Sequence, residues 1–488
     1  MSTIVQNPKA KSFETRLFIN GKFVEASDGG KFDLISPGTG EKVVEVSEAT
    51  EEDTNTAVAA AKAAFPAWSA LSPQEKGVYF KKLAVLIRES HAELAELEAL
   101  SMGRPVSAYF ESFVAAQTLD HYSETGYDIM GASSLNQKGY VTMTMRQPYG
   151  VAAAIIPWNV PVGFLINKTA AALMAGNTVV AKSSEKAPLT SAKVATLVEK
   201  AGFPPGVFNI ISGHGPVSGS VLSHHMDVRV LSFAGSSKTG RLIQEAAAKS
   251  NLKSVLLELG GKSPAIVFSD CDIEKAVQKT AFSIQFNSGQ TCMGNSRIYV
   301  HESIMDAFLE KFHKALTVAS GDPLLPTVNH GPQVDVIQYN KIQNYIEEGK
   351  KVAKMTLGEL PLGHENGFFI QPTVFVNTPE DAKIMKEEIF GPVVSVNTFS
   401  TEDEVVAKAN DTEYGLYAAV FTKDISRAMR MAKRLEAGHV GVNCTSPTTF
   451  PDVPFGGYKS SGTGREGWKQ SLDSFLETKA VLIAVDDE

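Results

Sequence analysis

Cysteine is scarce in this chain: only Cys271, Cys292 and Cys444 occur among 488 residues. Their number is odd and their spacing contains no CxxC or Cys/His pattern, so the sequence predicts neither a disulfide framework nor a metal site. Each thiol is therefore judged by its own surroundings. An isolated cysteine most often packs as a small apolar residue, and this is the interpretation for Cys271 and Cys444.

Positive charge is also in short supply. Lysine and arginine number 46 against 54 aspartates and glutamates, which leaves a net charge of -8 and a pI near 5.8. Nucleic-acid-binding surfaces need clustered basic residues. We therefore expect no nucleic-acid partner.

The chain lacks a long uninterrupted apolar run. Its most apolar stretch, residues 151–166, is broken by Pro157, Asn159 and Pro161 and is shorter than the roughly 20 residues that span a bilayer. The N-terminal MSTIVQNPKAKSFETRL has no apolar core of a secretory signal, and the C-terminal AVLIAVDDE matches no retention or peroxisomal signal. The sequence predicts a cytoplasmic protein without membrane contact.

The chain is rich in length and in alternating patterns. A single core stops growing at about 250 to 300 residues, so 488 residues predict two or three domains. Alternation punctuated by Asn-Gly and Gly-Thr-Gly over residues 17–43 predicts a hairpin-rich start. A helix over residues 54–65 follows, and a second begins at Ser72, where Pro73 and Glu75 complete a capping box.

Two later regions alternate short apolar, β-prone runs with amphipathic stretches. The first spans residues 151–268 and the second residues 298–443. Such alternation is typical of βαβ units, and hence of mostly parallel sheets with helices on both faces. The predicted fold class is α/β with two doubly wound domains, whose ligands bind at the carboxyl ends of strands and between domains.

Two β-prone segments fit neither region: residues 139–146 (GYVTMTMR) and the tail over residues 475–485. Each lies at the edge of a predicted domain. We expect them to pair with an edge strand of a neighbouring subunit, so the sequence predicts a homo-oligomer.

Cys292 lies in the stretch FNSGQTCMGNSR, among small and polar residues. A nucleophilic thiol must be partly exposed and poised as thiolate, because an unperturbed cysteine with a pKa of about 8.5 is only slightly ionised at neutral pH. Gly289 and Gly294 permit tight turns here. These residues alone are compatible with a nucleophile or with a structural cysteine.

Two polar residues are candidates for acid–base and oxyanion chemistry. Glu258, between Leu257 and Leu259 in LELGGKSP, is either a general base whose pKa is raised by apolar surroundings or a solvated turn residue. Asn159, which follows an apolar run and stands between two prolines, is either an oxyanion donor or part of an Asx turn.

Two further stretches suit a dinucleotide. In SFAGSSKTG, Gly235 and Ser236 link a β-prone run to a helix, and a helix N-terminus is a phosphate site. The spacing G-x4-G is by itself a weak motif. In VVAKSSE, Lys182 and Glu185 end a strand, where a donor and an acceptor can hold a ribose hydroxyl.

In this order, the five elements resemble the aldehyde dehydrogenase superfamily of the NAD(P)-dependent, non-acylating type. The resemblance extends from LFINGKFV through EEIFGPV to PFGGYKSSGTGRE. It implies that Cys292 is the nucleophile, that Glu258 is the general base and that Asn159 binds the oxyanion with the backbone N–H of Cys292. It also implies a proton relay through Lys168 and Glu466. The cofactor-binding residues that it implies are Trp158, Lys182, Glu185, Gly235, Ser236, Glu388 and Phe390.

The resemblance implies a fold of three parts. The NAD-binding domain comprises residues 1–126 and 149–259, and the catalytic domain, with Cys292, comprises residues 260–459. A small β oligomerisation arm comprises residues 127–148 and 474–488.

The implied reaction oxidises an aldehyde to a carboxylic acid through a cysteine thiohemiacetal and a thioester. Where many relatives have Lys-Pro-Ser-Glu, this chain has Lys182, Ser183, Ser184 and Glu185. A carboxylate at residue 185 accepts a hydrogen bond from a free 2′-hydroxyl and repels a 2′-phosphate. NAD is therefore the expected cofactor, with NADP less favoured.

The substrate tunnel departs from several well-known relatives, which carry an aromatic residue after the oxyanion asparagine and another further along the helix. Here these positions are Val160 and Asn167. The difference predicts a wider, partly polar tunnel rather than one shaped for a small aliphatic aldehyde, and no basic cluster indicates a substrate carboxylate. The candidate tunnel residues are Phe164, Phe455, Thr291 and Met293.

Three alternatives remain at this stage. A thiol esterase without redox chemistry would leave Lys182, Glu185 and Glu388 without a purpose. A coenzyme-A-acylating semialdehyde dehydrogenase is less favoured because Glu258 suits water as the acceptor. A catalytically inactive scaffold would be expected to have lost a catalytic residue, and none is missing. Homodimer and homotetramer both remain open.

Overall fold

The computed structural model describes residues 13–358 and 367–486. The ends of the predicted first domain (residues 1–12) and of the predicted arm (residues 487–488) lie outside the described residues. The helices are α1 (Glu51–Ser69), α2 (Pro73–Glu89), α3 (His91–Met102), α4 (Glu111–Thr125), α5 (Pro161–Met174), α6 (Pro188–Ala201), α7 (Ser220–His224), α8 (Ser237–Lys249), α9 (Ile273–Gln285), α10 (Met305–Ala315), α11 (Val336–Val352), α12 (Lys383–Lys386), α13 (Glu402–Asn410), α14 (Ile425–Arg434) and α15 (Trp468–Ser474).

The strands are β1 (Leu17–Ile19), β2 (Lys22–Val24), β3 (Lys31–Ile35), β4 (Lys42–Ser47), β5 (Ser133–Ser134), β6 (Tyr140–Pro148), β7 (Val151–Ile155), β8 (Thr178–Ser183), β9 (Phe208–Ser212), β10 (Val228–Ala234), β11 (Ser254–Glu258), β12 (Pro264–Val267), β13 (Arg297–His301), β14 (Lys354–Leu357), β15 (Thr373–Val376), β16 (Val393–Phe399), β17 (Tyr414–Gly415), β18 (Tyr417–Phe421), β19 (His439–Val442), β20 (Tyr458–Lys459), β21 (Gly462–Thr463) and β22 (Leu476–Ala484).

Local sequence signals account for the first elements. Asn20 and Gly21 both have positive φ and close the hairpin between β1 and β2, as Asn-Gly turns do. The capping box predicted at Ser72 is present: the Ser72 hydroxyl accepts from the Glu75 N–H, and the Glu75 carboxylate accepts from the Ser72 N–H. Helix α1 is longer than predicted because Thr50 caps it earlier and Pro66 does not end it.

The first sheet has eight strands in the order β2-β1-β9-β8-β7-β10-β11-β21. Its five central strands, β9, β8, β7, β10 and β11, are parallel. At the two edges, β1 pairs antiparallel with β9, β2 with β1, and β21 with β11. The chain proceeds from β7 in one direction and returns to add β10 on the other side of β7. The strand order thus reverses between β7 and β10, which is where ligands of doubly wound sheets bind.

The second sheet has seven strands in the order β14-β15-β16-β13-β12-β18-β19, and all neighbouring pairs except β14 with β15 are parallel. Strand β12 opens this sheet. The grouping of residues 264–268 with the first alternating region was therefore wrong, because an apolar run has the same pattern in either sheet. The chain passes between the sheets through residues 259–263.

This short connector sets the orientation of the two sheets. It joins the carboxyl end of β11 to the amino end of β12, so these two edges face each other. Strand β13 is parallel to β12, and the loop that precedes β13 therefore lies at the same amino edge. Cys292 is in that loop, opposite the carboxyl edge of the first sheet.

The two β-prone segments outside the domains form one arm. Strand β22 pairs with β6 along its full length, from Leu476 opposite Pro148 to Ala484 opposite Tyr140, and β5 covers part of the other side of β6. The two segments were expected to pair with a neighbouring subunit. This was wrong for the edges along which β6 and β22 meet, because there the two strands satisfy each other's backbone groups. The outer edge of β22 carries exposed apolar side chains, including Leu482 at 70% exposure.

Buried apolar clusters cover both faces of both sheets, which is the layered packing expected of doubly wound folds. Over residues 13–358 and 367–486, no helix combines the length and apolar character needed to cross a bilayer.

Candidate active site

A cavity of about 750 Å³ opens beside the cysteine loop. Cys292, Asn159 and Glu466 all line it, although they come from distant parts of the chain. The four candidate tunnel residues Phe164, Phe455, Thr291 and Met293 line the same cavity, as do Val160 and Asn167. Aromatic lining residues that sequence reasoning missed are Tyr109, Phe110, Tyr122, Phe282, Phe286 and Phe450.

The cysteine loop has an unusual backbone. Asn287, Ser288 and Gly289 follow one another with positive φ, a conformation that costs energy for non-glycine residues and is concentrated at functional sites. A Cβ atom on Gly289 would lie 2.1 Å from the carbonyl carbon of Gly391. Only glycine permits this approach, which brings the cysteine loop against the segment that carries Glu388 and Phe390.

Side chains hold this loop in place. The Ser288 hydroxyl donates to the carbonyl of Gly331 (2.8 Å), and the Gln290 side-chain oxygen accepts from the N–H of Val334 (2.9 Å). Both residues are buried. The nucleophile candidate is therefore presented by a loop with fixed geometry rather than by a mobile surface turn.

Cys292 is a partly buried residue that lines the cavity. Burial raises its pKa well above the ordinary range, and the carboxylates of Glu388 and Glu258 add to this rise. The backbone N–H groups of Cys292 and Met293 lower the pKa because they bond to the sulfur. The thiol is thus protonated at neutral pH in this state and needs a base to react.

Asn159 lies just beyond β7 and is 4% exposed. Its amide nitrogen donates to the carbonyl of Gln290 (3.0 Å), which precedes Cys292 in the loop. The second N–H of the amide remains for a ligand in the cavity that Asn159 and Cys292 share. The alternative of an isolated Asx turn does not account for this contact across the two sheets.

Glu258 ends β11 and is 6% exposed, so it is not a solvated turn residue. Burial raises the pKa of its carboxyl well above the ordinary value, and the nearby Glu466 raises it further, while Lys168 and Arg465 lower it. Its Oε2 atom has no hydrogen-bond partner within the described residues. A buried carboxyl with a raised pKa and a free oxygen can accept a proton from a thiol or from a water molecule.

Lys168 and Glu466 meet in a buried ion pair. The Lys168 ammonium also donates to the hydroxyl of Ser232 (3.1 Å), and that hydroxyl donates to Glu466 (3.2 Å). Because Glu466 interacts electrostatically with Glu258, the two predicted relay residues lie beside the predicted base.

Lys182 and Glu185 lie at the carboxyl end of β8. The Lys182 side chain is buried, its ammonium donates to the carbonyl of Ser183 (2.8 Å), and it stands 4.0 Å from the Glu185 carboxylate. Burial lowers the pKa of Lys182. Glu185 is more open, with 28% of its side chain exposed, and can meet a ligand hydroxyl.

Gly235 and Ser236 connect β10 to α8 at the point where the strand order reverses. The Ser236 hydroxyl accepts from the N–H of Thr239 (3.2 Å) and so caps α8. Helix α8 is long enough for its dipole and its free N-terminal N–H groups to attract a phosphate.

Glu388 and Phe390 precede β16 of the second sheet, and Trp158 follows β7 of the first sheet, yet Phe390 contacts Trp158 across the site. The Glu388 carboxylate accepts from the N–H of Gly261 (3.0 Å), and a Cβ atom on Gly260 would lie 2.5 Å from the same carboxylate. The rings of Trp158 and Phe390 are 5.3 Å apart in an edge-to-face arrangement. Burial raises the pKa of Glu388.

Sequence reasoning missed the residues that support Asn159. Its backbone carbonyl accepts from Arg104 (2.6 Å) and from the side-chain amide of Asn287 (2.9 Å). Asn287 lies in the cysteine stretch FNSGQTCMGNSR but was given no role of its own, and Arg104 belongs to no motif with a chemical signature. A buried arginine between a left-handed glycine, Gly103, and a proline was the available signal, and it does not identify its partner.

Neither Cys271 nor Cys444 lines the cavity. Cys271 packs against the core of the second sheet, and burial raises its pKa to about 11. In the described part of the chain, no group of three or more His, Cys, Asp or Glu side chains is arranged to hold a metal ion.

The model of the aldehyde dehydrogenase family matches residues 23–481. Aldehyde dehydrogenase 1A1 of Gallus gallus is 44% identical over 96% of this chain and 94% of its own length. Aldehyde dehydrogenase NAD(P)+ 2 of Saccharomyces cerevisiae is 42% identical over 96% of this chain and 94% of its own length.

Solved structures agree. The crystal structure of PnpE, an enzyme from a Pseudomonas species, in complex with nicotinamide adenine dinucleotide is 39% identical, with a TM-score of 0.95 over 97% of this chain and 98% of that chain. The fold, the site and nearly the whole length thus match proteins of one kind. The chain therefore belongs to the aldehyde dehydrogenase family, and it oxidises aldehydes to carboxylic acids with NAD as the hydride acceptor.

Proposed function

We propose that Cys292, Asn159 and Glu258 perform this oxidation in the cavity described above, on a bulky and uncharged aldehyde. The observation that carries the proposal is the shared cavity: Cys292 and Asn159 line it from opposite sheets, and Glu258 is close enough to affect the pKa of the thiol. A nucleophile, an oxyanion donor and a base are the three groups that acyl chemistry on a thiol needs.

The steps follow from these groups. The thiol of Cys292 loses its proton to Glu258 as the sulfur bonds to the aldehyde carbon. The resulting oxyanion accepts a hydrogen bond from the free amide N–H of Asn159. Bound NAD would supply the acceptor for the hydride that leaves this carbon, and loss of the hydride re-forms the carbonyl as a thioester on Cys292. Glu258 releases the proton that it took from the thiol to solvent and then removes a proton from water, whose oxygen attacks the thioester. The acid departs as the C–S bond breaks, and the sulfur takes back a proton from Glu258.

The residues present fit a dinucleotide. Lys182 and Glu185 offer a donor and an acceptor side by side, the N-terminus of α8 suits the pyrophosphate, and Glu388 with Phe390 lies beside the cysteine loop. We assign the ribose, phosphate and nicotinamide-side contacts to these groups, with Trp158 and Gly235 bordering them.

Glu185 should determine the choice between NAD and NADP. In Glu185→Ser, the kcat/KM ratio for NADP over NAD should rise at least about tenfold, because two like charges within a few ångströms repel by more than 1.4 kcal/mol at a partly exposed site. Steady-state kinetics with both cofactors and one aldehyde measure the ratio. Glu199→Ser, at an exposed glutamate of α6, is the matched control and should leave it unchanged. An unchanged ratio in Glu185→Ser would contradict the assignment.

The pH dependence should reveal the relay residues. A base acts when deprotonated, so the raised pKa of Glu258 places the acidic limb of the deacylation rate above the usual range of glutamate. Glu466→Gln removes a like charge and leaves the Lys168 cation, so the limb should move to lower pH. Lys168→Met removes the cation, so the limb should move to higher pH.

Deacylation can be followed with 4-nitrophenyl acetate over a range of pH without NAD. The matched control is the exposed ion pair of Glu245 and Lys249 on α8, where Glu245→Gln and Lys249→Met should leave the limb in place. If the two relay variants moved the limb in the same direction, or not at all, Glu258 would not be the titrating base.

The cavity supports a substrate with a large apolar body. Its volume of about 750 Å³ lies well within the range of sites for drug-sized ligands, and eight phenylalanine and tyrosine side chains are among the residues that line it. Asn167 lines it and accepts a hydrogen bond from Thr118 (2.9 Å), which leaves the amide nitrogen to meet a substrate oxygen. We infer an aromatic or branched aldehyde rather than acetaldehyde or an aldehyde with a carboxylate.

A panel of aliphatic, aromatic and terpenoid aldehydes, followed by NADH absorbance, tests this inference. The values of kcat/KM should increase from acetaldehyde to the aromatic and terpenoid members. Acetaldehyde as the best substrate, or a strong preference for a carboxylate-bearing aldehyde, would overturn it.

We further infer the division of labour among the domains. The first sheet with its helices is assigned to cofactor binding (residues 1–126 and 149–259), and the second to catalysis (260–459). The arm of residues 127–148 and 474–488 is assigned to a homodimer or homotetramer, because the outer edge of β22 is exposed and apolar. A monomeric mass in light scattering at micromolar concentration would refute the oligomer.

We also propose a cytoplasmic location. Among the relatives, the protein of Elephantulus edwardii is named cytosolic and one of Arabidopsis thaliana mitochondrial. Microscopy of a fluorescent fusion distinguishes the two compartments, and a mitochondrial signal would overturn the proposal.

A further inference from the structure

Asn159 is held by hydrogen bonds to its side-chain amide and to its backbone carbonyl. In front, its amide bonds to the carbonyl of Gln290, beside Cys292. Behind, its backbone carbonyl accepts two hydrogen bonds, from Arg104 (2.6 Å) and from Asn287 (2.9 Å). The direction in which the free amide N–H points therefore depends on the position of this carbonyl.

Arg104 is itself rigidly placed. Its side chain is 1% exposed and forms ion pairs with Glu98 (2.8 Å) on α3 and Glu111 (3.1 Å) at the start of α4. Its guanidinium also lies over the rings of Phe110 (5.1 Å) and Phe286 (5.7 Å). A planar guanidinium with fixed donors loses little freedom when it makes several contacts at once.

One of the two carboxyl groups extends this support to the helix that follows Asn159. Glu111 accepts from the N–H of Gly163 (2.9 Å), in the first turn of α5. Arg104 thus binds the carbonyl of Asn159 directly, while its partner Glu111 binds the first turn of α5, which follows Asn159 in the chain. Burial raises the pKa of both Glu98 and Glu111, and the neighbouring Glu111 raises that of Glu98 further.

We propose that Arg104 is a positioning residue for the oxidation: it holds the backbone of Asn159 so that the amide is aimed at the oxyanion on the carbon bonded to Cys292. This inference rests on the proposed role of Asn159. Arg104 acts through Asn159, and the other contacts of the arginine keep it in the place from which it can do so. Arg104 reaches the carbonyl of Asn159 through Nη2 and pairs with Glu98 through Nε, whereas lysine has a single nitrogen and cannot occupy both positions.

A double-mutant cycle tests the proposal, with the burst rate of NADH formation as readout. Asn159→Ala should lower this rate about 10²- to 10³-fold, as the loss of one oxyanion donor does. Arg104→Lys should lower it about 10- to 100-fold, since small misplacements of reacting groups have effects of this size. In the Asn159→Ala background, Arg104→Lys should cause a further loss of less than about threefold, because the group that it positions is gone.

Arg297 offers a matched control. It is also a buried arginine that donates to backbone carbonyls, those of Lys262 (3.0 Å) and Ala409 (2.8 Å), but it does not contact Asn159. Any loss caused by Arg297→Lys should multiply with that of Asn159→Ala. The dissociation constant of NAD in Arg104→Lys should stay within about twofold of the unmodified protein, as expected for an effect confined to the chemical step.

The outcomes distinguish a failure of the role proposed for Arg104 from a failure of the role proposed for Asn159. If Asn159→Ala slows the burst as expected but Arg104→Lys multiplies with it, Arg104 is only structural and this inference fails while the proposed function stands. If Asn159→Ala leaves the burst unchanged, the role of Asn159 fails and the role of Arg104 fails with it. Arg104→Gln, which keeps an N–H donor without the charge, replaces Arg104→Lys in the cycle if the lysine variant does not fold.

Discussion

Replacing Cys292 with alanine should abolish NADH formation from every aldehyde, with a loss of more than about 10⁴-fold, as expected when the nucleophile of a covalent mechanism is removed. The sulfur is the atom to which the aldehyde carbon bonds, and none of its neighbours can replace it: Thr291 and Met293 flank it without a thiol. The affinity for NAD should change little, because the proposed ribose and phosphate contacts come from the first sheet. NADH absorbance and calorimetric titration with NAD measure the two quantities.

Cys271→Ala and Cys444→Ala are the matched controls, since both thiols are partly buried like Cys292. Both variants should retain activity within a few-fold of the unmodified protein. Mass spectrometry after a brief reaction should find an acyl group on the peptide that contains Cys292 and on neither of the others. Persistent turnover in Cys292→Ala would overturn the assignment of the nucleophile.

Replacing Glu258 with glutamine should slow both steps in which this carboxyl accepts a proton, and the hydrolysis of the thioester more than its formation, because water is a weaker acid than a thiol. The amide is close in size to the carboxyl but cannot accept a proton, and general base catalysis contributes about 10²- to 10⁴-fold. Steady-state turnover should fall by that factor, while the acyl group on Cys292 accumulates. Mass spectrometry of the intact protein during turnover measures the acylated fraction, which should exceed that of the unmodified protein.

Hydroxylamine provides the control for Glu258→Gln. It is a stronger nucleophile than water and attacks a thioester without a base, so it should restore turnover in this variant and yield the hydroxamic acid. Cys292→Ala should not respond to it. If Glu258→Gln showed neither acyl accumulation nor rescue, Glu258 would not be the base for hydrolysis of the thioester.

Features with local causes could be predicted from the sequence. The capping box at Ser72 is complete within four residues, and the alternation of apolar runs with amphipathic stretches specified the two mostly parallel sheets. Glu258 could be found because it stands between two apolar residues, and Asn159 because it follows an apolar run that predicts a strand, at whose carboxyl end ligands of these sheets bind.

Features that depend on the choice of a partner could not be predicted. The pattern of β12 indicates a strand but does not indicate its sheet, and the β propensity of residues 139–146 does not reveal that β22 pairs with them. Arg104 lies 55 positions before Asn159 in the chain, and Asn287 lies 128 positions after it. Contacts across such separations arise from the assembled fold, and no local pattern announces them.

The connector over residues 259–263 joins the two halves of the molecule next to the reacting groups. Ser461 fastens it on both sides: its hydroxyl donates to Gly260 and accepts from the N–H of Gly415, beside the second sheet. Gly261 of this connector also packs against the cysteine, since a Cβ atom there would lie 2.3 Å from the carbonyl oxygen of Cys292. Any side chain at residue 261 would therefore displace the nucleophile, so the segment that links the two sheets also sets the spacing of the reacting groups.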